Sequence, residues 1–264
     1  MPFVGNTVLR MRRGQHGATG NYYLGLHEPE SMAFVALMLR PGDLFYDVGA
    51  NVGSFSLLAA GVAGADALAL EPVPKAYAGL LENIAANRGR AGFKGSIDAR
   101  QTAAGGAPGR VRMSTDGDVT NHVLGADEAG RRTSVEVPVT PLDALLAETG
   151  RAPFFMKIDV EGYEQPVIDG AQAVLARPEL WGFLLEYTPQ SQRYGEDDAN
   201  TRLHRDLLAL GFEAFNYEPL GRTLTPRPDL ARRGNMLYLR PQHLAEIRRR
   251  IAEAPPLRVL GRTL

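Results

Sequence analysis

The sequence predicts an α/β fold, a doubly wound and mostly parallel sheet with an antiparallel edge. Three observations predict it. Apolar runs of strand length alternate with helical patterns through most of the chain. The run Leu44-Phe45-Tyr46 leads into Asp47-Val48-Gly49-Ala50-Asn51-Val52-Gly53 and on into Ser54-Phe55-Ser56-Leu57-Leu58-Ala59-Ala60, which reads as strand, tight glycine turn and helix. The next apolar run, Ala65 to Leu70, ends in Glu71-Pro72. In such sheets the glycine corner after the first strand and a carboxylate after the second are placed to hold a ligand.

The elements follow in order. Residues 1–30 are rich in Gly, Asn and aromatics, and Gly20 to Gly25 is expected to form a loop or short hairpin. Glu30 to Leu39 has helical character and closes on the turn Pro41-Gly42-Asp43. Pro74 to Arg88 reads as an amphipathic helix that Pro74 starts and that buries Ala76, Leu80, Leu81, Ile84 and Ala85. Gly95 to Ala104 and Arg110 to Ser114 are strand-like, separated by a glycine-rich turn. A polar loop, Thr115 to Arg132, leads to an alternating strand, Thr133 to Val139. Thr140 is expected to cap a short helix from Pro141 to Glu148. Phe154 to Ile158 is an apolar strand ending at Asp159, followed by a helix from Gln165 to Ala176. Trp181 to Tyr187 is a buried strand that carries Glu186 at its end. A helix from Thr201 to Leu210 stops at Gly211, and Phe212–Tyr217 and Met236–Leu239 form the antiparallel pair, with a polar loop between them. His243 to Ala254 is a basic amphipathic helix.

Composition bounds the function. A chain of 264 residues fits one domain of this class with modest additions. A formal net charge of -1 gives no electrostatic case for nucleic acid or an anionic membrane as partner. The absence of cysteine excludes disulfides, cysteine-ligated zinc and a cysteine nucleophile, and it fits the cytoplasm. No apolar segment follows Arg10, Arg12 and Arg13, and Met32–Leu39 is too short to span a bilayer, so a soluble, unprocessed cytoplasmic protein is expected. Nothing in the sequence specifies an oligomeric state.

The corner discriminates between cofactors. A dinucleotide site wants G-x-G-x-x-G around a pyrophosphate, and here Ala50-Asn51 separates Gly49 from the later Gly53 behind a leading Asp47. An acid at that strand end repels pyrophosphate but suits S-adenosylmethionine, which carries an ammonium and a sulfonium. On this reading Asp47 and Gly49 lie against the methionine part, Glu71 takes the ribose hydroxyls and Asn51 bonds cofactor or substrate. Gly53 is placed in the same loop and Pro72 beside Glu71.

These residues reach a family. The Asp47–Gly53 loop, Glu71-Pro72-Val73-Pro74 and Met156-Lys157-Ile158-Asp159-Val160-Glu161-Gly162-Tyr163-Glu164 closely resemble the FkbM family of S-adenosylmethionine-dependent methyltransferases, from about Pro41 to about Glu186. The resemblance implies a Rossmann-like class I methyltransferase fold and O-methylation of a sugar, glycan or hydroxylated natural product. It implies that an N-terminal segment over 1–40 caps a cofactor-binding methyltransferase domain over 41–240, and the residues after it read as a helical tail over 241–264. Gln101-Thr102-Ala103-Ala104-Gly105 is similar to the family segment that passes the adenine, which nominates Ala103.

Methyl transfer to an alcohol needs the acceptor oxygen held close to the methyl carbon and a group to take the proton. Asp159 ends the fourth parallel strand, and extended backbone would bring Lys157, Asp159 and Glu161 to one side. Lys157 in an apolar run is expected to meet a carboxylate. His122, in the polar loop, is the alternative base, and His204 is a weaker one. Asp159 and Glu186 could offer a divalent metal hard oxygen ligands, although no compact metal motif marks the chain. Tyr22, Tyr23, Tyr187 and Tyr194 are candidates for stacking on an acceptor ring. Two other classes compete: a nucleotide-dependent oxidoreductase, against which the missing G-x-G counts, and a non-catalytic cofactor-binding subunit.

Overall fold

The computed structural model describes residues 1–12, 16–117, 120–125, 128, 132–187, 199–230 and 234–264, with the backbone alone for 16–18. In chain order the elements are α1 (His16–Leu24), α2 (Pro29–Met38), β1 (Leu44–Val48), α3 (Ser54–Leu57), β2 (Asp66–Leu70), α4 (Pro74–Asn87), β3 (Ile97–Arg100), β4 (Ala103–Ala104), β5 (Gly109–Ser114), β6 (Ser134–Thr140) and α5 (Leu142–Thr149). Then come β7 (Phe155–Ile158), α6 (Glu164–Asp169), α7 (Gln172–Leu175), β8 (Gly182–Tyr187), α8 (Ala199–Ala209), β9 (Glu213–Glu218), β10 (Thr223–Pro226), β11 (Gly234–Leu239), α9 (Leu244–Glu253), β12 (Arg258–Val259) and β13 (Arg262–Thr263).

The main sheet has the order β10-β9-β11-β8-β7-β1-β2-β3. From β3 to β8 the pairs are parallel, and β11, β9 and β10 add the antiparallel edge, as the sequence predicts. A parallel strand is covered on both faces, so its side chains are apolar in both directions. In β1, Phe45 packs toward α2 and α9, while Tyr46 and Val48 pack toward the layer of α5 to α8. Full burial of one such side chain contributes roughly 1.5–3 kcal/mol. The small sheet β4-β6-β5 starts at Ala103, three residues after β3 ends.

Tertiary contacts revise several sequence expectations. Gly20 to Gly25 is not a hairpin: most of it lies in α1, closed by the Gly25 N–H on the Asn21 carbonyl, 2.9 Å. Asn21 also donates to Ser54 Oγ and accepts from the His27 N–H, contacts that hold a segment of weak intrinsic helix propensity. α4 buries Leu80, Asn83 and Asn87, and Leu81 is exposed. Both asparagines do structural work there. Asn87 brackets the backbone of Val8, and Asn83 accepts from Arg10 N–H and donates to Val52 C=O.

Gly95 to Ala104 divides into β3 in the main sheet and β4 in the small one. Thr140 ends β6 and bonds Thr102 Oγ1, 2.9 Å, so it does not cap α5. The expected helix over Gln165–Ala176 breaks at Gly170, where a Cβ would lie 2.1 Å from the Gly105 carbonyl. The loop between β9 and β11 contains a further strand, β10. Residues Leu58–Ala63 form a π-helical turn after α3. α9 packs through Ile247 and Ile251, and Arg250 meets Asp43 at 2.6 Å. No helix among the described residues is long and apolar enough to cross a membrane.

Candidate active site

The corner after β1 is built on backbone geometry. Gly49 has φ +82, and a Cβ there would lie 1.8 Å from the Asp159 carbonyl oxygen, so only glycine lets the two strand ends approach. The N–H groups of Gly49 and Ala50 both reach the Leu70 carbonyl. Asn51 also has positive φ, and its Oδ1 accepts the Val52 N–H at 2.8 Å, so the side chain serves its own turn. Glu71, just beyond β2, is buried and braces the same turn. Its Oε2 accepts from Asn51 N–H and its Oε1 from Val73 N–H, each at 2.8 Å. Burial lifts this carboxyl to about 7, against the pull of those two N–H donors.

Lys157 is the electrostatic centre. It is 3% exposed, inside β7, and donates to Asp159 Oδ2 at 2.8 Å and to the Gly49 carbonyl at 3.3 Å. The carboxylate expected from its apolar surroundings is therefore Asp159. Burial works to lower the ammonium, but the charges of Asp159, Asp47 and Glu28 hold its pKa above the ordinary lysine value. Burial works to raise Asp159, but the Lys157 charge and hydrogen bonds from Glu186 and Lys157 keep that carboxyl low. Glu186 goes the other way: burial and the adjacent Asp159 push it up to about 11, so it holds a proton. Burial also raises Glu28.

A cavity of about 340 Å³ opens over the strand ends. Of the residues singled out in the sequence, Gly49, Asn51, Glu71, Pro72, Ala103, Lys157, Asp159, Glu161 and Glu186 line it. Glu161 arrives differently from the expectation. The strand stops at Ile158, and a turn with φ +53 at Glu161 and +100 at Gly162 carries the side chain to the wall.

Three residues stand behind the wall. Asp47 is fully buried, and its Oδ2 accepts both the N–H and the Oγ–H of Ser56, tying β1 to α3. Gly53 packs against Leu80, where a Cβ would lie 2.5 Å away. His122 alternates away from the cavity because its segment runs alongside β5. Asn121 and Val123 line the wall, while the imidazole bonds Thr120 C=O and Glu128.

Other candidates are placed elsewhere. His204 bonds Tyr238 Oη at 2.6 Å in the core, and Tyr187 bonds the same phenol at 2.8 Å, so neither reaches a ligand. Tyr22 and Tyr23 are exposed outside the cavity wall. Tyr194 lies outside the described residues. Single carboxylate oxygens of Asp159, Glu161 and Glu186 come within 4.8 Å of one another. The Lys157 ammonium already pairs with Asp159 there, at 2.8 Å.

Sequence reasoning missed Asn21, which enters the cavity wall from α1, and His27 and Glu28, which enter it from between α1 and α2. Nothing local marks them. Asn83 and Asn87 did carry a signal, since two asparagines four apart inside a helix disfavour it unless they are used.

Residues 47–218 match the family described as the Methyltransferase FkbM domain. Over 165 residues the chain is 30% identical to 31-O-demethyl-FK506 methyltransferase FkbM of Streptomyces tacrolimicus, a stretch covering 51% of this chain and 61% of that protein. The chain thus spans about three fifths of the length of that curated relative. Similar solved structures include precorrin-6y C5,15-methyltransferase from Geobacter metallireducens, 12% identical with a TM-score of 0.46, covering 88% of this chain and 93% of that one. Another is SMU.1697c of Streptococcus mutans in complex with S-adenosylhomocysteine (SAH), 10% identical with a TM-score of 0.46, covering 79% and 94%. The family match runs from Asp47 at the glycine corner to the end of β9 and takes in Glu71 and Lys157–Glu161, and the chain belongs to the FkbM methyltransferase family.

Proposed function

We propose that this chain is an S-adenosylmethionine-dependent methyltransferase that methylates a hydroxyl of a sugar, glycan or hydroxylated natural product. The observation that carries the reading is the charge of the cavity. Five carboxyl side chains, Glu28, Glu71, Asp159, Glu161 and Glu186, line it against one lysine, and even with Glu186 protonated the other acids outnumber that lysine, which suits a cationic ligand and opposes a pyrophosphate. The donor set fits the cofactor. Each Glu71 oxygen accepts only one N–H and has a further lone pair for a ribose hydroxyl. Gly49 faces the methionine part, and Val73, Ala76, Ala103 and Met113 supply an apolar wall for the adenine. The relative's name records methylation of an oxygen, which supports oxygen as acceptor here.

When bound, S-adenosylmethionine would supply an electrophilic methyl for the acceptor oxygen, the sulfur keeping the electrons of the broken C–S bond and the hydroxyl proton being released. The Asp159 carboxylate, held ionised beside Lys157, orients the acceptor hydroxyl and takes that proton. Lys157 positions Asp159, and Asp47 fixes β1 against α3. Glu161, beside Asp159 on the cavity wall, helps to orient the acceptor. His122 has no part in this scheme.

Calorimetric titration with SAH, with NAD as control, tests the cofactor assignment. Micromolar binding of SAH alone is expected, and binding of NAD instead would overturn it. Glu71→Ala is expected to weaken SAH by about 1.5–3 kcal/mol, the worth of a hydrogen bond to a charged group. A pH dependence follows from the Glu71 value of about 7. The carboxylate is the better ribose acceptor, so SAH affinity is expected to rise between pH 6 and 8 and level above that, and Glu71→Gln is expected to flatten the rise. Linkage to folding has the opposite sign. The folded state holds this proton more tightly, so the free protein loses stability as pH climbs from the ordinary 4.5 to about 7.

A further inference from the structure

A second cavity, of about 580 Å³, lies between α2 and the edge strands β8, β9 and β11. His27, Glu28 and Glu186 line both cavities, so the two meet at these side chains. Building on the first cavity as the cofactor site, we propose that the second is the acceptor subsite and takes an uncharged, polyhydroxylated ring of the sugar class.

Unpartnered polar atoms carry the assignment. Among the described residues, five buried side-chain atoms have no hydrogen-bond partner: Asp47 Oδ1, Glu186 Oε2, Tyr217 Oη, Asn235 Oδ1 and His243 Nε2. Three of the five, on Glu186, Tyr217 and Asn235, belong to residues that line this one cavity. Folded proteins keep few such atoms, because each forfeits its hydration without a replacement. A ligand bearing several hydroxyls, each a donor and an acceptor, answers all three. Asn235 is fixed for the task, since its amide nitrogen already bonds Glu28 and Ser31 Oγ and leaves Oδ1 free. Burial pushes the Tyr217 phenol up to about 12, so it keeps its proton as Glu186 does.

The rest of the wall sets the class. Phe34 and Phe215 line the cavity, and the Tyr217 ring stands edge-on to Phe34 at 5.3 Å between centroids. These rings sit in a lining that is otherwise largely polar, and that mixture suits a ligand with both a C–H face and several hydroxyls, as a sugar ring has. An anionic ring is not served. Glu28 and Glu30 outnumber Arg227, and that guanidinium is engaged by Asn216 Oδ1 and the Asp229 carbonyl.

Saturation-transfer NMR on the full chain with saturating SAH tests this, using the methyl glycosides of glucose, galactose, mannose and rhamnose as probes. Glucuronate and glucose 6-phosphate are the anionic controls. Saturation transfer is expected to at least one neutral glycoside and to neither anion. Tyr217→Phe is expected to weaken that binding about threefold to tenfold, the worth of one neutral hydrogen bond. Asn216→Trp, which places an indole at an exposed position of the cavity wall, is expected to abolish it. Both variants are expected to bind SAH within twofold of wild type, which also shows that they fold. Binding of no neutral glycoside, preference for the anions, or binding that survives Asn216→Trp with Tyr217→Phe unchanged would overturn the proposal. Failure of the wild type to bind SAH would instead overturn the cofactor reading, and the glycoside arm can be run without it.

Discussion

Replacing Lys157 by methionine is expected to destabilise the protein by about 3–5 kcal/mol, the cost of removing one partner from a buried ion pair. The methionine side chain keeps most of the volume against the Phe55 ring but leaves the buried Asp47 and the partly buried Asp159 with no cation. The urea midpoint at neutral pH measures this. The deficit is expected to shrink as pH falls. In the wild type the depressed Asp159 value contributes stability above the ordinary carboxyl range that is lost as pH drops through the folded value. In the variant only the Glu186 hydrogen bond still opposes burial at Asp159, so its carboxyl takes up a proton more readily and the two proteins converge. A midpoint shift worth less than about 1 kcal/mol, the range of an exposed pair, would show that the cluster does not rest on this ammonium.

Asp159→Asn is expected to lower turnover by about 10²–10⁴-fold, the usual worth of a positioned proton acceptor. SAH affinity is expected to stay within a few-fold of wild type, because the group that meets Gly49 is the Asp159 carbonyl, which the substitution keeps. The amide is close in shape to the carboxylate, so the effect reads proton acceptance and orientation more than packing. The assay follows SAH formation with an acceptor that the glycoside screen identifies, and the loss is expected in kcat more than in KM. An Asp159→Asn enzyme with wild-type kcat would remove this residue from the chemistry and move attention to Glu28, which meets both cavities.

Much of the site was legible because it is local. The glycine turn, Glu71 one residue past β2 and the Lys157–Asp159 pair each lie within a few residues of a strand end, where covalent geometry and the direction of a parallel sheet leave few placements. Asn51 shows the limit of that argument. Its position in the turn was readable, but whether its side chain served ligand or backbone depended on a left-handed φ, and the Val52 N–H took its oxygen. His122 shows another. Its residue type suited a base, yet strand alternation beside β5 put Asn121 and Val123 on the cavity and the imidazole behind them.

The sequence by itself determined the α/β class, the order of the parallel strands' functional ends and the acids that collect there. Periodicity and turn chemistry act over a few residues and need no distant partner. Only the tertiary structure decided which groups share a wall. Glu28 reaches Lys157 and Asp159 from more than a hundred residues away, Asn235 reaches Glu28 across 207, and a carboxyl that would ionise freely in water keeps its proton at Glu186. Burial and charge neighbours are properties of the folded assembly, and they set both the chemistry of the strand ends and the second cavity beside them.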